Sequence, residues 1–223
     1  MRLMPDWLHW DHNLHYHAYL LRQMPASIDR ALDVGCGAGE FARLLAGRSG
    51  AVDAVDTSPD MIRAARAAST RLANVNWIEG DVLTLDLEPA SYDAVTAIAS
   101  LHHMPLDAAL RRFVELARPG GTVAILGLYR ASTPTDYALA ALAMAANPVV
   151  GATKAALGRR TPSHPTMPVL DTRTTLREIA AAAARHMPGA IIRRHLFFRY
   201  SLIWRNCHSE RSEESSPADA RPA

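Results

Sequence analysis

Asp33, Gly35, Gly37 and Gly39 stand at alternate positions in ALDVGCGAGEFARLLA, residues 31–46, where a short apolar segment breaks into glycine and resumes at helical spacing. A strand that runs into glycines and then a helix turns backbone N–H groups and the positive dipole end toward a ligand. Missing side chains let that ligand come close. A dinucleotide turn needs G-x-G-x-x-G, but Glu40 stands where its third glycine would be. A phosphate loop needs Gly-Lys-Ser/Thr, which is absent. The acid at this turn, Asp33, repels a pyrophosphate and suits a cation. Proton-transfer chemistry, where needed, falls to histidine: His102 and His103 follow an apolar run, and HWDHNLHYH holds His9, His12, His15 and His17. No cysteine or acidic ligand pattern accompanies these histidines, so a metal is not expected.

The elements that must position these residues are legible as an alternation. RALDV (30–34), AVDAVD (51–56), VNWIEG (75–80), YDAVTAIA (92–99) and GTVAILGL (121–128) read as buried strands. Between them GEFARLLAGR, SPDMIRAARAAST and PLDAALRRFVELARPGG have helical period, the last with Leu106, Leu110, Phe113, Val114 and Ala117 on one face. Strand and helix in repetition predict a doubly wound α/β sheet, with its site at the carboxyl end of the first strand. Ser58-Pro59-Asp60 opens one helix, and Pro119-Gly120-Gly121 is expected to stop a later one. A further helix is expected from the Thr133 cap to Asn147-Pro148, then a proline-dotted connector, RRTPSHPTMP. DTRTTLREIAAAAARHMPG reads as the last helix, and AIIRRHLFFRYSLIWR as an antiparallel strand pair.

The pattern D-x-G-x-G-x-G from Asp33 resembles the first motif of the class I S-adenosylmethionine-dependent methyltransferases. VDAVDTSPDMIRAAR, IEGDVLTL, YDAVTAIASLHHMP and LARPGGTVAIL resemble the motifs that follow it in that family. The resemblance implies a Rossmann-like, seven-stranded sheet with an antiparallel last strand, and S-adenosyl-L-methionine as methyl donor. It implies a donor site formed by Asp33, Gly35, Cys36, Gly37 and Gly39. Asp56 would hold the ribose hydroxyls with Thr57 beside it, and Met61 would pack on the adenine. Asp81 and the Val82 backbone would read the adenine edge, and Ser100 would lie near the sulfonium. His102, His103 and His15 are the expected acceptor-side bases, with His15, Tyr16 and Tyr19 on one face of an N-terminal helix. Cys36 is expected to be a small residue under the ligand rather than a nucleophile.

Residues 1–29 then read as a helical arm over the donor site and 30–205 as the methyltransferase domain. Residues 133–168 form a lid insertion, and 206–223 a disordered, Ser/Glu/Pro-rich tail. A formal net charge of +2 without a basic stripe argues against a nucleic-acid partner. Asn147-Pro148 and Lys154 interrupt the alanine-rich run 137–158, so an integral membrane segment is not expected. Two cysteines far apart, and no apolar leader in the first residues, fit a reducing, cytoplasmic setting. The Ala-, Met- and Leu-rich insertion points to an apolar or amphipathic small-molecule acceptor. The residues leave open a second class, a protein that binds the donor for regulation or interaction without catalysis, and they do not give the oligomeric state.

Overall fold

The computed structural model describes residues 12–156 and 172–207. Seven strands form one sheet: β1 (Ile28–Val34), β2 (Ser49–Asp56), β3 (Val75–Glu79), β4 (Tyr92–Ile98), β5 (Ala117–Leu128), β6 (Ile191–His195) and β7 (Arg199–Arg205). Their order is β3-β2-β1-β4-β5-β7-β6, and β7 alone runs against its neighbours. The order reverses at β1, which pairs in parallel with both β2 and β4, so the crevice opens beyond the carboxyl ends of β1 and β4. Every residue of β4 from Tyr92 to Ala97 is buried, as a parallel strand covered on both faces requires.

Six α-helices, α1 (His12–Leu21), α2 (Glu40–Ala46), α3 (Pro59–Ala67), α4 (Leu106–Leu116), α5 (Pro134–Ala156) and α6 (Leu176–His186), and a single 3-10 turn, Leu101–His103, complete the described fold. One face of the sheet is covered by α4 and α6, through Leu110, Phe113, Ile179 and Ala182. The other packs against α1, α2, α3 and α5, through Leu20, Phe41, Ile62 and Ala143. Helix starts follow local chemistry. Ser58 caps α3 by accepting the Met61 N–H, with Pro59 behind it at the first helical position. Thr175 and Glu178 form a reciprocal capping box that begins α6, later than the Asp171 where the sequence pattern starts.

Two stop signals act differently from expectation. Helix α4 ends at Leu116, before Pro119-Gly120-Gly121, because Ala117 is already extended and paired with Tyr92. Asn206 holds that paired segment: its side chain donates to the Ala117 carbonyl at 2.9 Å, and its N–H donates to the Gly121 carbonyl at 2.8 Å. Pro-Gly-Gly therefore lies in the entry to β5, where the ladder with β4 shifts register. Helix α5 likewise does not end at Asn147-Pro148 but continues to Ala156. Proline forfeits only one backbone bond, to the carbonyl four residues earlier, and packing on both sides carries the helix across. Ala143 is buried before it, Val150 packs on the same core after it, and Asn147 is 3.1 Å from His12 Nε2.

The connector 159–168 and residues 208–223 of the expected tail lie outside the described residues, while Asn206, where that tail was expected to begin, is buried and hydrogen-bonded to β5. Among the described residues no helix is long and apolar enough to cross a membrane.

Candidate active site

Beyond the ends of β1, β2 and β4 lies a cleft of about 490 Å³. Its walls come from Val34 and Gly35 after β1, Asp56 to Ser58 after β2, Met61 on α3, Gly80 to Val82 after β3, and Ile98 to Ser100 with His103 and Met104 after β4. A smaller recess of about 50 Å³ shares Gly35 and Ile98 with it and is lined by Asp33, Cys36, Gly37 and Glu40 from below and Asn13, Leu14 and His17 of α1 from above. The two form an elongated site, a wide chamber with a narrow acidic end.

The glycine turn has two distinct tasks. Gly35 and Gly37 take φ of +67° and +54° and lie at the site itself. A Cβ on Gly35 would collide with the side chain of Ser100 across the crevice. The Ser100 hydroxyl is spent on that same junction, donating to the Val34 carbonyl at 2.7 Å, so it latches β4 to β1. Gly35→Ala should therefore lower stability by about 2–4 kcal/mol, from a strained φ and an overpacked contact, measurable by urea denaturation. An unchanged midpoint would show that the latch has slack. Gly39 lies outside the lining of both chambers. It is the left-handed N-cap of α2, φ +82°, and its bare Cα faces the Trp77 ring.

Asp56, the last residue of β2, holds its carboxylate still with two backbone donors, Gly37 N–H to Oδ2 and Ser58 N–H to Oδ1, both at 2.8 Å. Each oxygen keeps lone-pair capacity for one hydroxyl of a diol. Met61 is buried against the chamber wall, and Asp81 Oδ1 accepts the Leu83 N–H at 3.0 Å, which fixes the turn carrying Val82. Asp33 lies under the narrow end, fully enclosed, with the Thr96 hydroxyl donating to it at 2.8 Å. Burial, outweighing that hydrogen bond and reinforced by the charges of Asp56 and Glu40, pushes its carboxyl up to about 7. Cys36 is buried there, and desolvation with the neighbouring carboxylates raises its thiol far above the range in which a thiolate forms.

The three histidines expected to serve as bases separate. His103 is exposed and lines the chamber. His102 turns away from it, half-buried, its ring 4.0 Å from that of His103, and burial followed by the nearby His103 and Arg199 charges lowers it to about 4. Its Nδ1 has no hydrogen-bond partner among the described residues. His15 lines neither chamber. It is exposed at the outer side of α1, edge-on to Tyr16 and Phe197. Tyr16 and Tyr19 enclose His195 of β6, their rings 5.0 and 5.1 Å from it. His17 is the α1 histidine in the site, buried and packed 5.0 Å from Phe41. Two residues along a helix are about 200° of rotation, so the choice between them depends on how α1 docks.

Docking of α1 uses long-range contacts. Tyr16 donates its hydroxyl to the Leu196 carbonyl at 3.1 Å, and Arg199 donates to Asn13 Oδ1 at 2.9 Å. Sequence reasoning did not single out Asn13, Leu14, Glu40, Ile98, Ala99 or Met104 as site residues, and among the N-terminal histidine candidates it favoured His15 over His17. Glu40 had a local signal, an acid at the first turn of α2 beside the glycines. Ala99 had none, although it holds a left-handed φ of +52° in the chamber wall. In α5, Tyr137, Leu142, Met144 and Val149 are exposed, and none lines either chamber.

The methyltransferase domain family matches residues 31–121. An uncharacterized methyltransferase of Mycobacterium bovis is 34% identical over 203 residues, covering 88% of this chain and 96% of that protein. A ubiquinone biosynthesis O-methyltransferase of Xanthomonas campestris is 38% identical over 114 residues; the match takes in 50% of this chain and 47% of that relative. The fold is shared with a solved protein of Pyrococcus horikoshii at TM-score 0.63 and 20% identity, over 92% of this chain and 96% of that one. It is shared too with the N-methyltransferase NodS of Bradyrhizobium japonicum in complex with S-adenosyl-l-homocysteine, at TM-score 0.59 and 16% identity, over 92% and 93%. A glycine turn under an acidic recess, a carboxylate ending the second strand, a reversed seventh strand and a relative matched over nearly its whole length lead to one conclusion: the chain belongs to the class I S-adenosylmethionine-dependent methyltransferases.

Proposed function

We propose that the chain methylates a small apolar or amphipathic acceptor, of the hydroquinone or phenol class, which enters beside His103 and Met104. The observation that carries this reading is the chamber's mouth, where one exposed imidazole stands beside apolar Ile98 and Met104. Relatives named as ubiquinone biosynthesis O-methyltransferase and 2-phytyl-1,4-naphtoquinone methyltransferase support the acceptor class. The donor set fits S-adenosylmethionine: a fixed carboxylate for a diol, an apolar shelf for a purine, and a buried acid at the recess for a cation. We assign Asp56 and Thr57 to the ribose, Met61, Asp81 and Val82 to the adenine, and Asp33, Gly35, Cys36 and Gly37 to the amino-acid end. Ser100, in the chamber wall, lies on the sulfonium side and latches β4 to β1, while Gly39 serves the turn from behind.

Bound there, S-adenosylmethionine supplies a methyl group on a sulfonium whose positive charge disappears on transfer. The chain's contribution is position and dryness. α1 roofs the recess and excludes water, while the latched ends of β1 and β4 hold the floor. Alignment of this kind supplies about 7–11 kcal/mol of a barrier. His103 takes the acceptor's hydroxyl proton as the oxygen becomes a nucleophile. His102 stays neutral above about pH 5 and acts as its packed neighbour.

Labelled methyl transfer to a panel of hydroquinones, catechols and aliphatic amines tests the reading. Methylated hydroquinone or catechol is expected, with His103→Ala lowering kcat by about 10²-fold and leaving S-adenosylhomocysteine affinity intact. Transfer to amines alone, or an unaltered kcat in His103→Ala, would overturn it.

A further inference from the structure

The turn that follows β3 is held from outside by a side chain that lines neither chamber. Asp81 and Val82 stand in the chamber wall, and within the turn the Asp81 carbonyl accepts the Thr84 and Leu85 N–H groups at 3.0 and 2.9 Å. The carbonyls of Val82 and Leu85 find their partner on α4. Arg112 donates from Nε to the Val82 carbonyl at 3.1 Å and from Nη2 to the Leu85 carbonyl at 2.7 Å, while Nη1 pairs with Glu115 at 2.9 Å. Its stem lies on the helix ridge between buried Ala109 and Leu116, which leaves the side chain only 14% exposed. Every nitrogen of the planar guanidinium is thus engaged. A lysine, whose charge sits at one point, offers no such fork.

One peptide links this clamp to the chamber. The peptide joining Val82 to Leu83 gives its carbonyl to Arg112 and its N–H to Asp81 Oδ1 at 3.0 Å. Because a peptide is planar, fixing its oxygen fixes the direction of its N–H, and with it the carboxylate that accepts that N–H. Among the described residues the other carboxylate oxygen, Oδ2, and the Val82 N–H take no partner, so an acceptor and a donor stand together in the wall.

We propose that Arg112 is a positioning residue for purine recognition: acting through that peptide, it holds the Asp81 carboxylate and the Val82 N–H where the edge of an adenine, an amino donor beside a ring-nitrogen acceptor, meets both. The inference rests on the assignment of Asp81 and Val82 to the adenine. Without the guanidinium the two carbonyls turn to water, the peptide can rotate, and the carboxylate loses its fixed direction. The purine keeps its apolar shelf, because Met61 belongs to α3. What is lost is the reading of its edge. A clamp that merely steadied the fold would weaken every nucleoside ligand alike.

Calorimetric titration of wild type, Arg112→Met and Arg112→Lys with S-adenosylhomocysteine and S-inosylhomocysteine tests the proposal. Inosine carries a carbonyl oxygen in place of the amino group, which meets the Asp81 carboxylate as a second acceptor. The wild type is expected to prefer the adenosyl ligand by about 10²-fold or more, since a site built to accept an N–H rejects a ligand that lacks it. Arg112→Met keeps the packing of the stem and removes the donors, so that preference should shrink by about tenfold or more, through weaker adenosyl binding. Arg112→Lys, which keeps the charge and the stem, should fold and lie between the two. A wild type that binds both ligands equally, or a preference unchanged in Arg112→Met, would overturn the proposal. Asp81→Ala tells the two failures apart. If it abolishes the preference, the purine subsite stands and Arg112 has no part in it; if it too leaves the preference unchanged, the adenine is read elsewhere and the assignment falls as well.

Discussion

Asp56→Ala removes calorimetrically detectable binding of S-adenosylmethionine and S-adenosylhomocysteine. The carboxylate offers two acceptors to a diol, and a hydrogen bond to a charged group contributes about 1.5–3 kcal/mol. Losing both corresponds to a factor on the order of 10²–10⁴ in affinity. Because Asp56 also accepts the Gly37 and Ser58 N–H groups, alanine loosens the glycine turn as well. Asp56→Asn keeps one acceptor oxygen and with it one of the two backbone N–H bonds, so it disturbs the turn less than alanine does: it should fold and still bind at least about tenfold more weakly. Wild-type affinity in either variant would mean that the ribose is held elsewhere.

The second large effect belongs to Asp33, and it changes sign between stability and binding. A buried carboxyl raised from 3.8 to about 7 binds its proton more tightly in the folded protein than in the unfolded chain. Stability is therefore lost as pH rises from about 4 to 7, and the penalty is complete above 7. Asp33→Asn removes that penalty and retains an oxygen for the Thr96 hydroxyl. At pH 8 the variant should be more stable by on the order of 2–4 kcal/mol, read as a higher Tm, whereas at pH 4 the two proteins should melt together. Its affinity for S-adenosylmethionine should fall by about 10²-fold or less at pH 8. Wild-type affinity should rise with pH up to about 7 and then level, while that of Asp33→Asn should stay flat across the same range. Equal melting temperatures at pH 8 would show that Asp33 is ionised and compensated in the ligand-free protein.

The part of the candidate site that stands at strand ends was legible because its signals are local. Asp33, Gly35 and Asp56 each stand where a strand ends, and the chemistry of a turn after a strand is set within a few residues. The order of strands followed from the alternation, and the reversed seventh strand from the family resemblance. What escaped depends on contacts far apart in sequence. His17 rather than His15 enters the recess because Tyr16 reaches Leu196 and Arg199 reaches Asn13, 180 and 186 residues away. Pro148 reads as a stop but does not act as one, since the stop rule counts a lost backbone bond and not the packing of Ala143 and Val150 around it. The apolar insertion was expected to cover the acceptor. In its described part Tyr137, Leu142, Met144 and Val149 are exposed while Ala143 and Val150 pack on the core, and composition alone does not distinguish a lid's inner face from its outer one. Ala99 holds a conformation that costs alanine about 1–2 kcal/mol, and nothing in the residue type announces it.

The reversal of β7 has a consequence for how the enzyme can change. Because β6 runs with the parallel strands and β7 returns, their turn at Leu196–Phe198 emerges at the same edge as the ends of β1 and β4, with Arg199 paired to Leu128. A crossover helix would have taken the chain to the opposite edge before returning it. The hairpin instead delivers a short, solvent-reachable tip to the rim, and that tip grips α1 through Phe197 and Arg199. Its length can vary without disturbing the register of any parallel strand. Evolution can therefore retune the roof of this site by insertions at one turn while the donor's floor is inherited unchanged.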